Sequence, residues 1–222
     1  MIYQIISKNR LLKNKQKGRR LKIRKIILIT GTPGVGKTTI SRKLASELNA
    51  NYVNITELVK EKNIETTRDH ERDTLIVDAK KISGLLSRIL EKKDGPFIID
   101  GHYATDVLSE KDVEIVFVLR RNPRELKEVL QKRGYPLKKI WENVDAEILD
   151  ICLSDALSAM NSTKVCEIDV SGKKIEMIIE EIMEIINKNK NCDYGKVDWL
   201  GKLEAEGQLE DFLKNIRLAE QT

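Results

Sequence analysis

Gly31-Thr32-Pro33-Gly34-Val35-Gly36-Lys37-Thr38 fills the spacing G-x-x-x-x-G-K-[ST]. That pattern suits one kind of chemistry. A phosphate tail approaches a backbone closely only where side chains are missing, and glycine both removes them and tolerates positive φ. Successive amides then turn inward as an anion-binding nest, and the helix that follows adds its positive end. Lys37 is placed to reach the β- and γ-phosphates of a nucleoside triphosphate, and the Thr38 hydroxyl to ligate Mg²⁺. The amides of Gly34, Val35, Gly36 and Thr39 complete the cradle.

A second group stands in Phe97-Ile98-Ile99-Asp100-Gly101-His102. A carboxylate at the carboxyl end of a buried strand lies on the ligand-binding edge of an open α/β sheet. Asp100 is therefore expected to hold Mg²⁺, together with Thr38. His102 has two readings: it orients a water or the γ-phosphate region, or it holds a loop. Phosphoryl transfer also needs cations from outside the loop, because negative charge spreads over the moving group. Arg120 and Arg121 end a strand, and Arg133 precedes Gly134-Tyr135. Arg133, delivered by a lid, is the expected catalytic cation; Arg121 and Arg124 are read as solvated.

The elements that must position these groups follow from periodicity. Lys25–Thr30 is a short β-branched run, read as a buried parallel strand. Residues 38–48 place Ile40, Leu44 and Leu48 on one helical face. Strands are also expected over 51–54, 97–100, 114–119 and 165–170. Helices are expected from a Thr56 cap to Lys62, over 78–92 and 124–133, over 137–160 with an interruption, and over 173–187. Residues 63–74 are polar and read as a loop or short helix, and Asp78 as a cap. Short helices lying on the body are expected over 198–203 and 208–218. Strands alternating with helices predict an α/β fold of P-loop NTPase type, a doubly wound parallel sheet flanked by helices.

The 222 residues allow one domain with short appendages. Forty basic residues exceed thirty-five acidic ones, but ten of the basic ones fall within residues 1–25, which hold no acid. The rest is net acidic, preceded by a basic arm at 1–24. Such an arm is either a leader without function or a contact for nucleic acid or anionic surfaces. An aromatic content of 5% argues against a stacking platform for single-stranded nucleic acid. No apolar run reaches the length of a membrane span. Cys152, Cys166 and Cys192 are odd in number and not spaced like zinc ligands, which suggests free buried thiols in a reducing cytoplasm.

Together the stretches GTPGVGKTT (31–39), Asn54–Leu58, ERDTLIVD (71–78), IIDGHYATDV (98–107), VFVLRRNP (116–123) and RGYPLKKIWENVDAEI (133–148) resemble the adenylate kinase isoenzyme 6 family and its archaeal relatives. The resemblance covers about Lys25 to Asn187. It implies a kinase domain at 25–187 with a monophosphate-binding insertion at 54–77 and a lid at 132–142. It also implies ATP contacts at Gly34, Gly36, Lys37, Thr38, Thr39, Arg133 and a late lysine matched by Lys173. Family activity implies ATP and AMP as substrates, ATP hydrolysis, and help in maturing the small ribosomal subunit with a ribosomal protein and rRNA. The extension at 188–222 lies outside it.

An acceptor phosphate must meet a cation in any case. Arg72 is favoured over Arg68, Lys60 and Lys62, with a solvated loop charge as the alternative. The expected activity is ATP + AMP to 2 ADP. An ATPase acting mainly in ribosome assembly, or a kinase for another small acceptor such as shikimate, remains open.

Overall fold

Strands form here where aliphatic and β-branched residues run unbroken, and helices where apolar residues recur every third or fourth position. The computed structural model describes residues 25–62, 66–69, 74–77, 79–101 and 104–220. In chain order the elements are β1 (Ile26–Gly31), α1 (Lys37–Glu47), β2 (Asn51–Asn54), α2 (Ile55–Glu61), β3 (Thr66–Asp69), β4 (Thr74–Val77), α3 (Ala79–Lys92), β5 (Phe97–Asp100), α4 (Ala104–Val107) and β6 (Val113–Arg120). There follow α5 (Pro123–Lys132), α6 (Leu137–Ile148), α7 (Ile151–Ala159), β7 (Val165–Asp169), α8 (Ile175–Ile186), α9 (Trp199–Ala205) and α10 (Leu209–Glu220).

Five strands pair in parallel in the order β2-β5-β1-β6-β7, so β1 is central. Its alternate side chains feed two apolar layers. Ile27 and Ile29 face a layer with Ile40 and Leu44 of α1, Leu126 of α5, Val144 of α6 and Ile182 of α8. Ile26 and Leu28 face the other, with Leu58 of α2, Leu86 of α3 and Leu153 of α7. Each such side chain contributes about 1.5–3 kcal/mol by leaving water. This two-sided cover is why the strands read as continuous apolar runs rather than alternating ones. The doubly wound sheet expected from sequence is the observed architecture.

Three local expectations need correction. Within 63–74 the described residues are strand rather than loop or short helix: β3 and β4 form an antiparallel pair, Thr66 opposite Val77 and Asp69 opposite Thr74. Their β-branched content explains this. The cap of α2 is Asn54 rather than Thr56, and its side chain accepts from the Glu57 amide at 2.7 Å. The last residue of β2 thus also begins the next helix. Cys166 and Cys192 are not free thiols but are joined as a disulfide, which ties β7 to the chain beyond α8. Cys152 is free.

The break expected within 137–160 falls at Asp150, which adopts a left-handed φ of 56° between α6 and α7. The stretch after α8 lies on the body. Phe212 of α10 meets Trp141 of α6 edge-on at 5.7 Å between ring centres. The arm at 1–24, Asp78 and His102 lie outside the described residues. No described helix is long and apolar enough to cross a membrane.

Candidate active site

The loop from Gly31 to Gly36 joins the carboxyl end of β1 to α1. Gly31 has φ 136°, and a Cβ there would stand 2.4 Å from the Leu119 carbonyl of β6, so no other residue fits. Gly36, with φ 107°, turns the chain into α1 and places Lys37 and Thr38 in its first turn. The register of β1 and β5 sets Ile29 beside Asp100 and carries that carboxylate to the same edge.

A cleft of about 360 Å³ opens there, lined by Gly34, Gly36, Lys37, Thr38, Thr39, Asp100 and Arg133. Seven residues singled out from sequence are therefore together. Val35 takes part differently: its side chain is fully buried, so only its backbone remains for a ligand. Lys173 is not among the lining residues; its ammonium pairs with Glu181 at 2.9 Å. The Arg72 side chain and His102 lie outside the described residues.

Lys37 Nζ donates to the carbonyls of Gly31, at 2.6 Å, and Thr32, at 3.0 Å. Its ammonium is thus curled back over the loop it serves. Burial lowers its pKa below the ordinary lysine value, against the pull of nearby acidic groups, and the charge of Arg133 lowers it further. Two cations lining one cleft suit a site for phosphate.

Asp100 is 1% exposed. Its Oδ2 accepts from the Tyr52 hydroxyl at 3.1 Å. Asn54 Nδ2 links that hydroxyl to Thr38 Oγ1, at 3.3 Å to each. Asp100 Oδ1 is buried with no hydrogen-bond partner among the described residues. A buried carboxylate oxygen left bare beside a threonine hydroxyl fits a small, hard, oxygen-seeking cation, and Mg²⁺ meets that description. Tyr52 and Asn54 were not singled out as site residues; only their place at the end of β2, next to β5, could have signalled them.

Burial also raises the Asp100 pKa above the usual carboxylate range, opposed by Tyr52, Thr38 and Lys37. The ionised form is the one that holds a cation, so protons compete with metal from a higher pH than at an ordinary aspartate. The acid limb of the pH–rate profile is expected to move to lower pH as magnesium is raised. A limb indifferent to magnesium would remove Asp100 from the metal site.

Two arginines behave differently from their sequence reading. Arg120 is no phosphate ligand on offer: it is 1% exposed and bonded to Glu147 at 2.9 Å, Glu167 at 2.5 Å and Asp150. Arg121 is not solvated. It folds over the loop, with Nη2 3.4 Å from the Val35 carbonyl and Nε buried without a partner among the described residues. Arg124 is exposed, as read, and pairs with Glu206.

An AAA domain family profile matches residues 27–150. A protein of Methanocaldococcus jannaschii named "Putative adenylate kinase" is 43% identical over 79% of this chain and 93% of its own. Relatives of the same name from Methanococcus maripaludis and Thermococcus kodakarensis are 37% and 38% identical, over 79% and 78% of this chain and 95% and 92% of theirs. Among solved structures, shikimate kinase of Acinetobacter baumannii in complex with shikimate superposes with a TM-score of 0.52. It is 17% identical and covers 75% of this chain and 94% of its own. At that identity the likeness speaks for the fold alone. On the family match and the archaeal identities, this chain belongs to the AAA domain family, among the archaeal proteins named for adenylate kinase.

Proposed function

We propose that the chain transfers the γ-phosphoryl group of ATP to a nucleoside monophosphate, with AMP as acceptor and two ADP as product. One observation carries this reading. The cleft that holds Lys37, Thr38, Asp100 and Arg133 is also lined by Asn54, Thr56 and Lys60, from the end of β2 and the helix α2 that follows it. Donor and acceptor would meet in a single space. The names of the archaeal relatives support the same activity.

In this reading the amides from Gly34 to Thr39 hold the triphosphate, with Lys173 as a further ATP contact after it exchanges Glu181 for the nucleotide. Mg²⁺, held by Thr38 and Asp100, neutralises charge on the phosphates when bound. Lys37 spans the β- and γ-phosphates, and Arg133 meets the charge that spreads over the moving group. Arg72 meets the acceptor phosphate, and Lys60, which lines the cleft, assists it. His102 orients the γ-phosphate region, or a water beside it. Residues 54–77 form the monophosphate-binding region, and 132–142, around the turn between α5 and α6, the lid. Membership of the isoenzyme 6 group, ATP hydrolysis, service to small-subunit maturation with a ribosomal protein and rRNA, and a cytoplasmic location belong to the same proposal.

The test is product analysis with ATP and magnesium, first alone and then with AMP. ADP formation is expected to rise severalfold with AMP and to saturate. A rate that AMP leaves unchanged removes the kinase reading and favours an ATPase switch.

A further inference from the structure

Glu147 lies near the end of α6, is 1% exposed, and has no part in the phosphate chemistry above. Four donors from three separate segments converge on its carboxylate. Thr32 Oγ1, from the phosphate loop, donates to Oε2 at 2.5 Å. Arg120 Nε and the Arg121 amide, at the end of β6, donate to Oε1 at 2.9 and 3.0 Å. The indole Nε1 of Trp199 donates to the same oxygen at 3.1 Å.

Trp199 opens α9, beyond the body that the family resemblance covers. The chain that delivers it is itself fastened. Glu167 Oε2 of β7 accepts from the amides of Lys196, at 2.9 Å, and Val197, at 3.1 Å. The Glu167 amide donates to the Asp193 carbonyl at 2.8 Å, and Cys192 is bonded to Cys166. The ring is 4% exposed, with the Lys202 ammonium 5.4 Å from its centre. Trp199 therefore arrives on a firm support.

From Thr32 the connection runs directly to the cation of the site. Its hydroxyl is held by Glu147, and its carbonyl accepts from Lys37 Nζ. A hydroxyl fixed on one side sets where that carbonyl, and the amides around it, point.

We propose that Glu147 is a positioning residue for the phosphate loop and that Trp199 holds its carboxylate, which makes the C-terminal segment a working part of the nucleotide site. The inference rests on the reading of this loop as the ATP site. Its physical basis is preorganisation: a loop that binds phosphate through backbone amides gains affinity when the peptide planes are fixed beforehand. A hydrogen bond to a buried charge is the kind whose loss is felt, commonly by a factor of ten or more in an equilibrium.

The experiment is a double-mutant cycle on the full chain, read by direct titration with a fluorescent ATP analogue and magnesium. Trp199→Phe keeps an aromatic ring, though a smaller one, and removes the N–H. Thr32→Val removes the hydroxyl at nearly constant shape. Each is expected to weaken analogue binding about tenfold, and the pair by little more than either alone, because both act through one carboxylate. KM for ATP should rise with it, and KM for AMP should not. Thr32→Ser, which restores the hydroxyl, should bind nearly as the wild type does. Fully additive losses overturn the proposal, as does a lowered melting point with unchanged analogue affinity. Should Trp199→Phe fail to fold, the Thr32 pair still decides: valine and serine binding alike overturns it. A wild-type chain that binds no analogue instead removes the ATP-site reading on which the proposal stands.

Discussion

Lys37→Met is expected to lower turnover by about a thousandfold or more while leaving the melting temperature unchanged or slightly raised. Both halves follow from the same geometry. The ammonium is half-buried in the cleft and donates to two loop carbonyls, at 2.6 and 3.0 Å. Burial lowers its pKa, so folding does not gain from keeping it charged there. In the reading proposed above, that ammonium spans the β- and γ-phosphates of a bound triphosphate, beside the bond being broken. Removing a charge-stabilising donor of this kind costs about 10²–10³ in rate, and removing a full cation on a transferring phosphoryl group about 10³–10⁵. Methionine keeps the stem and drops the charge. The measurement is kcat with saturating ATP, magnesium and AMP, beside a thermal melt. Turnover within a few-fold of wild type would refute the role given to this loop.

How much of this was legible in the sequence depends on how local each constraint is. The phosphate loop was, because the need for glycine at 31, 34 and 36 is met within eight residues and nothing distant alters it. Asp100 was legible through one further step, since a short apolar strand that ends in an acid carries that acid to the sheet edge. The cap of α2 was also within reach. Asn54 and Glu57 stand at the spacing of a capping box, and attention to that spacing rather than to Thr56 finds the start of the helix. The pair β3 and β4 announced itself more faintly, in the run Thr74-Leu75-Ile76-Val77 beside polar residues that masked it.

Other features left no local mark. Arg120 and Arg121 are neighbours at the end of one strand and looked alike in sequence. One is a buried structural hub and the other lies across the phosphate loop. The difference is set by carboxylates 27, 30 and 47 residues further along, which the fold alone brings together. The stretch that holds Trp199 is readable as a short helix lying on the body, but nothing local showed that its indole bonds a buried carboxylate or that Cys192 pairs with Cys166. An odd number of cysteines concealed a disulfide, since the residue left over, Cys152, has its sulfur 3.9 Å from the Thr32 hydroxyl.

Arg120→Met is the substitution expected to cost most in stability. The guanidinium joins two carboxylates, Glu147 and Glu167, whose side chains are each 1% exposed, and a third, Asp150, that is 41% exposed. Its Nη2 also donates to the Glu147 carbonyl at 2.8 Å, which secures the end of α6. Methionine fills much of the volume but leaves two buried anions without their cation. Breaking a buried pair from one side costs about 3–5 kcal/mol, far more than the pair contributes over a well-packed apolar alternative. The sign of the pH dependence then separates this cause from simple loss of packing. Burial raises the Glu147 pKa even with Arg120 present, which is the chief force opposing it. Without that charge the folded state of the variant holds its proton more tightly than the unfolded chain does. Stability of the variant should therefore fall as pH rises through the acid range toward neutrality, and its deficit against wild type should widen over the same interval. Chemical denaturation of both proteins at several pH values measures this. A deficit that is constant with pH would assign the loss to packing, and one below about 1 kcal/mol would mean that Glu147 and Glu167 are not the buried, paired anions described here.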